Sequence, residues 1–307
     1  MRPVEAHGRK KEPYDMNAPM PSVAEVWQRI MSGPEPRIGD VDMDAVRIVH
    51  HYLDPMSKYF RYEARGLERI PKEHTLVVAN HSGGKLPIDM FLFGHAWFNH
   101  FRFQRGIFPL LHDVLFSAPP LRRSFRRLGC IPAHPKNARV VLDMGESVLV
   151  LPGGDYETFR PYSERYKVDF GRRTGFIDVA MRAHVPITPL VTIGSHEIFF
   201  VLTRGERLAK WFGMKALFRY NAFPIIFGLP FGLYFGPVPS PFPLPSKMVS
   251  EVIEPIYLHK EEADHRAYDE GDLEHTHARL EMQHVVVKRM QEAMTRLAAE
   301  RKLPIIG

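Results

Sequence analysis

Three apolar runs, 75-TLVVAN-80, 147-SVLVLP-152 and 186-PITPLVTIG-194, each end in glycine, proline or a polar residue. Runs this short, bounded this way, read as strands. Stretches of helical spacing lie between or beside them, at 87–98, around 121–128, at 135–145 and at 173–183. In the third of these, Val140, Val141 and Met144 fall on one side. The alternation predicts an α/β fold: a single domain with a central mixed, largely buried β-sheet flanked by helices. With 307 residues, 45% of them hydrophobic, the chain can build a sizeable core.

Residues 1–42 are rich in proline, glycine and charge. They read as a partly disordered N-terminal extension, with only a short apolar hint at 23–31. The domain is expected over 43–307. It opens with a helix at 43–61 whose apolar face carries Val46, Val49, Tyr52, Leu53, Met56, Tyr59 and Phe60. Asp42 or Asp44 stands near its start, and Pro55 is expected to kink or end it. A long amphipathic helix is expected at 273–302, packed through Leu280, Val287, Met290, Met294 and Leu297. The segment 216–236 is strongly apolar, but Pro224, Pro230 and three glycines interrupt it. It reads either as a buried strand with its turns or as a loop dipping into a lipid interface. The proline-rich stretch 236–246 reads as an extended connector.

The 41 Lys and Arg against 35 Asp and Glu give a net charge of +6, which suits anionic lipid, phosphorylated molecules or nucleic acid alike. No recognition motif accompanies the basic residues, so nucleic acid is not an expected partner. One cysteine, Cys130, excludes an intramolecular disulfide and reads as a small hydrophobe. No run of about 18 apolar residues occurs, the length a spanning helix needs, so any membrane contact is expected from one side. Helix 43–61, 97-WFNHFRF-103 and 211-WFGMKALFRY-220 are the segments that mix aromatic and basic residues as interfacial segments do; for the helix, packing is the default reading.

Chemistry concentrates in 75-TLVVANHSGGKLPIDMFLF-93, where a strand runs into a polar loop and then a helix. His81 stands at the strand exit, the place where α/β sheets carry their sites. Gly83 and Gly84 permit a tight path, Pro87 suits a first helical turn, and Asp89 follows. A histidine oriented by a carboxylate can deprotonate a hydroxyl, although a lone histidine at a strand end is more often structural, and sixteen are present. In 149-LVLPGGDYETFRP-161 a second strand ends in Gly153 and Gly154, whose N–H groups could face a phosphate or an oxyanion, with Glu157 and Arg160 following. By itself this reads as an ordinary turn with a surface ion pair. Ser195, His196 and Glu197 resemble a catalytic set only on paper, since sequence neighbours point apart and no G-x-S-x-G elbow is present. No metal-binding spacing occurs.

In order and spacing these segments resemble the four motif blocks of the glycerolipid and lysophospholipid acyltransferase superfamily, over roughly residues 75–194. Asn80, His81 and Asp89 are similar to its N-H-x-x-x-x-D block, although seven residues rather than four separate His81 from Asp89. The stretch 129-GCIPAHPKNA-138 resembles the second block, without the basic residue that often follows its isoleucine. The turn 152-PGGDYETFRP-161 stands where Glu-Gly-Thr-Arg is usual, which is similar to the monoacylglycerol and diacylglycerol acyltransferase branch. The strand 185-VPITPLV-191 resembles the fourth block.

The resemblance implies a glycerol-3-phosphate acyltransferase-like fold and direct transfer of an acyl group from acyl-CoA, or acyl carrier protein, to a glycerolipid hydroxyl. His81 would be the base and Asp89 its partner. Gly83, Gly84, Lys85, Gly153, Gly154, Glu157 and Arg160 would contact substrate or oxyanion. Arg122, Arg123, Arg126 and Arg127 would suit lipid headgroups or coenzyme A phosphates, or form a solvated helix face. No bound cofactor or metal is expected, and the protein is expected on the cytoplasmic face of a membrane. The alternative is a non-catalytic lipid-binding protein on the same fold.

Overall fold

The structure, a computed structural model, describes residues 18–81, 87–213, 223–228, 232–235, 243–258, 273–301 and 303. Seven strands form a mixed sheet in the order β1 (Glu63–Arg65), β10 (Val249–Val252), β6 (Ile187–Ile193), β2 (Leu76–Ala79), β5 (Ser147–Val150), β3 (Ile107–Leu111) and β4 (Ile131–Pro132). From β6 to β4 the neighbours run parallel; β10 is antiparallel to β6, and β1 is parallel to β10. The three strands expected from the sequence are β2, β5 and β6, side by side at the centre. They were legible because helices cover both their faces, which requires apolar residues at nearly every position.

The pleat sorts these residues into two cores. Leu76, Val78 and Val148 pack with α5 (Pro135–Asp143), α7 (Gly175–Ala183) and α9 (Leu273–Glu300) through Val141, Ile177 and Met290. Val77, Ala79 and Leu149 face the other way, onto Met90, Phe93 and Trp97 of α3 (Ile88–Phe101). Each Val, Leu, Ile, Phe or Met side chain buried in this way contributes about 1.5–3 kcal/mol. The long C-terminal helix packs through Met290, Met294 and Leu297 of the expected stripe, but toward its start Met282 and Val286 are buried while the expected Leu280 and Val287 are only half-buried. Among the described residues no helix is long and apolar enough to cross a membrane.

Four features depart from the sequence reading or, for the apolar segment 216–236, take the strand alternative it left open, each with a physical cause. First, residues 1–17 of the expected extension lie outside the described residues, but residues 18–42 are packed. There α1 (Val23–Ser32) is closed by a Ser22/Glu25 capping box and buries Val26 and Ile30 against Ala45. The arginines of α4 (Pro119–Arg127) hold the segment after α1. Arg122 pairs with Glu35 at 2.6 Å, Arg123 donates to the carbonyls of Met31 and Gly33, and Arg126 donates to that of Pro36. Second, α2 (Met43–Tyr59), capped by Asp42, continues through Pro55; its expected apolar face splits, with Val46 and Phe60 buried and Tyr52, Met56 and Tyr59 exposed. Third, the apolar segment near 216–236 forms strands where it is described. β8 (Ile225–Gly228) and β9 (Gly232–Phe235) join β7 (Phe200–Thr203) in a small antiparallel sheet. Residues 236–242 of the expected connector lie outside the described residues. Fourth, β10 is buried despite its charged Glu251, which Arg69 and Arg296 neutralise at 3.1 and 2.9 Å.

Beyond the last residue of β2, the Asn80 side chain extends the ladder to β6. Its Nδ2 donates to the Thr192 carbonyl at 3.0 Å, and its Oδ1 accepts from the Thr192 N–H at 2.8 Å. The amide thus replaces a missing rung and fixes where the chain leaves the sheet. Asn80→Ala strands both buried groups of Thr192, so stability should fall by about 2 kcal/mol or more. Urea denaturation measures this directly, and an unchanged midpoint would show that the exit does not depend on the amide.

Candidate active site

The carboxyl ends of β6, β2 and β5 lie together, and the segments leaving them build one site. From β5 the chain turns at Pro152–Gly153 into the short helix α6 (Gly154–Thr158), which carries Glu157 into the interior. A Cβ at Gly153 would overlap the Glu157 side chain, so only glycine leaves room for this inward path. The Glu157 Oε2 accepts the His81 N–H at 2.9 Å. Its Oε1 accepts the Asp169 N–H at 3.1 Å and a hydrogen bond from Arg160 Nη2. Complete burial pushes the Glu157 carboxyl up, against the pull of Arg160 and of the two backbone donors.

The other side of the His81 peptide is held from β6. Gly194, at φ +97°, turns the chain into Ser195–Glu197, and His196 Nε2 lies 3.1 Å from the His81 carbonyl oxygen. Burial, reinforced by the charge of Arg160, pushes the His196 imidazole well below its ordinary value. The ring is therefore neutral, and since a carbonyl only accepts, its Nε2 carries the proton. The His81 backbone is gripped at both its N–H and its C=O by buried side chains from the two neighbouring strand ends.

Asp89 sits in the first turn of α3, is buried, and accepts from the Met90 N–H at 2.9 Å. It lines a small pocket with Ala79, Met90, Leu149, Leu151, Leu190 and Thr192, walls contributed by the ends of β2, β5 and β6. The phenol of Tyr62 is nearby; burial pushes it up, and the Asp89 charge adds to the effect. His81 and Asp89 thus occupy one end of one sheet. The loop joining them, with Gly83, Gly84 and Lys85, lies outside the described residues.

The remaining expected residues divide. Glu157 and Arg160 are not a surface ion pair: both are fully buried, and Glu157 serves the His81 backbone. The Gly154 N–H donates to the Leu151 carbonyl at 3.2 Å, within the turn. Arg122, Arg123 and Arg126 are engaged with residues 31–36 of the same chain. Ser195, His196 and Glu197 are all buried but have separate surroundings; Glu197 accepts from the Tyr166 hydroxyl at 2.9 Å. Burial pushes the Cys130 thiol up to about 12, consistent with a small hydrophobe. Among the described residues no cluster of metal-ligating side chains occurs. Sequence reasoning missed the positions of Asn80 and His196 in this framework. For His196 there was no local signal, because its contact spans 115 residues.

Residues 61–193 match the Acyltransferase family model. The DGAT1/2-independent enzyme synthesizing storage lipids of Mus musculus is 33% identical over 181 residues, covering 55% of this chain and 49% of that protein. An uncharacterized protein of Mycobacterium tuberculosis is 34% identical over 157 residues, covering 51% of this chain and 44% of that protein. The chain thus spans about half the length of the curated relatives it matches. The crystal structure of the 1-acyl-sn-glycerophosphate acyltransferase PlsC from Thermotoga maritima superposes with a TM-score of 0.52 at 16% identity, covering 85% of this chain and 83% of that one, a likeness of fold. Strands β1 to β6, the α3 carboxylate and the Glu157 turn all fall within the matched region, so the part of the chain that builds the candidate site is the part similar to the Acyltransferase family.

Proposed function

We propose that the protein is an O-acyltransferase that moves a fatty acyl group from an acyl thioester, acyl-CoA or acyl carrier protein, to a hydroxyl of a glycerolipid. The observation that carries this reading is the two-sided hold on the His81 peptide at the strand ends, beside the pocket that contains Asp89. A backbone fixed in this way supports a base carried at His81, because holding it does not draw on substrate binding.

In this reading His81 takes the proton of the acceptor hydroxyl, and the oxygen attacks the thioester carbonyl carbon. The tetrahedral intermediate collapses with cleavage of the C–S bond, and the leaving thiolate takes the proton back from the imidazolium. Asp89 orients the ring and stabilises its cationic form. No acyl-enzyme forms, in keeping with the inert, buried Cys130. Arg160 has Nε and Nη1 sealed from solvent without hydrogen-bond partners among the described residues, which supports a role for it toward a carbonyl or phosphate oxygen of substrate. The name of the murine relative, a storage-lipid enzyme, supports a neutral acceptor such as mono- or diacylglycerol over a lysophospholipid. The acceptor would be met at a membrane surface, on the cytoplasmic face, from one side. The second reading, a lipid-binding protein without catalysis, forecasts lipid binding with no new ester.

The test is mass spectrometry of products after incubation with acyl-CoA and a panel of monoacylglycerol, diacylglycerol and lysophospholipids. A new ester is expected with at least one acceptor, and its absence across the panel, with lipid binding retained, would favour the non-catalytic reading. His81→Ala should lower turnover by more than about a hundredfold with an unchanged circular dichroism spectrum. Near wild-type turnover would remove His81 from the mechanism. Asp89→Asn should cost less, with the fold kept; an unfolded variant would mark Asp89 as a cap of α3 and not as a partner of the base.

A further inference from the structure

The small β7–β8–β9 sheet has one face in the core and the other in solvent, and both are apolar. Val201, Ile226 and Tyr234 point inward, onto Phe60 of the chain after α2, Ile88 and Leu92 of α3, and Met248. The register places Phe200 opposite Phe227 and Phe227 opposite Leu233, with Ile225 opposite Phe235 in the next row. These alternate residues form the outer face, where Phe227, Leu233 and Phe235 are 45%, 53% and 48% exposed. An antiparallel sheet with one solvated face ordinarily alternates apolar and polar residues; here the outer rows are apolar except for Thr203, opposite Ile225.

Helix α8 (Glu206–Trp211) follows β7 directly and meets the start of β8 through its flanking residues. Phe212 stacks on Phe223, two residues before β8, with ring centroids 4.9 Å apart, and Trp211 beside it is 79% exposed. Arg207 and Lys210, both exposed, stand on the same short helix. Aromatic rings next to basic side chains suit the headgroup level of a bilayer, where rings bury and cations meet lipid phosphates. The surface also adjoins the candidate active site. Arg204, at the end of β7, donates to the Tyr156 carbonyl in the Glu157 turn at 3.3 Å, and the inner face of the sheet packs on the first turn of α3, which carries Asp89.

We propose that the outer face of β7–β8–β9, together with the aromatic end of α8, docks the protein on an anionic phospholipid bilayer and brings the candidate active site to the lipid surface. This inference rests on the lipid-acylation reading for its purpose, but not for its measurement. The apolar rows enter the interface, the α8 cations pair with phosphates, and the Glu157 turn and α3 lie alongside.

Flotation of the full chain with vesicles of phosphatidylcholine, and of phosphatidylcholine mixed with phosphatidylglycerol, reads the docking without requiring activity. The wild type should float with the mixed vesicles. F227S/L233S/F235S should reduce partitioning by more than about tenfold on both compositions, and Trp211→Ser should weaken it severalfold. R207E/K210E should lower binding to the mixed vesicles and leave the weaker binding to phosphatidylcholine unchanged. Val140→Ser, an equally exposed apolar site on α5, should have no effect. His81→Ala should float like the wild type, so failure of the chemical reading and failure of the docking reading give different results. Triple and Trp211 variants that both float like the wild type would overturn the proposal. It would equally be overturned by a wild type that is dimeric by light scattering, fails to float, and becomes monomeric on the triple substitution, since the face would then belong to a second copy.

Discussion

The hydrogen bond from the His81 N–H to the buried Glu157 carboxylate joins segments 76 residues apart, and the geometry of the site depends on it. Moving a carboxylate out of water costs several kcal/mol, and only well-placed donors offset that cost. Glu157 has three: Arg160, which brings the opposite charge, and the N–H groups of His81 and Asp169. Each donor is fixed by what the carboxylate needs, so the interior holds the position of the His81 peptide. Losing the carboxylate would leave Arg160 buried without its counter-charge, a change costing about 3–5 kcal/mol. The site and the local fold therefore stand or fall together.

The second half of the framework is neutral. His196 meets the His81 carbonyl from β6, and the Asn80 amide ties the same strand exit to Thr192. Three adjacent strand ends thus each contribute to one peptide position: β5 through Glu157, β6 through His196 and Thr192, and β2 through Asn80. A side chain carried on such a platform has little backbone freedom to lose when a substrate arrives, and this is how a rigid α/β sheet supports chemistry at its carboxyl edge.

How much of this the sequence disclosed depended on the range of the interactions. Strands β2, β5 and β6 were legible because burial on both faces leaves an unbroken apolar run, and α9 because its stripe repeats over many turns. β10 was not, since Ser250 and Glu251 read as polar; Glu251 is tolerated in the interior only through Arg69 and Arg296, from distant parts of the chain. α1 reads as part of a loose extension for a similar reason, as its partners on α4 lie about 90 residues away. At the site, the motif residues and the glycine turn could be read locally. The burial of Glu157 and Arg160 reversed the expectation of a surface pair, and His196 was invisible because its partner is a backbone carbonyl on another strand.

The grip that Glu157 and His196 exert on the His81 peptide is the centre of this account. Amide hydrogen exchange, resolved by nuclear magnetic resonance at the single residue, tests it most directly. If the His81 N–H is donated to a buried carboxylate, it should exchange slowly, with protection comparable to the amides of β2 and near that of global unfolding. Rapid exchange of the His81 amide in an otherwise protected β2 would mean that the peptide is not held, and the framework proposed for the site would be wrong.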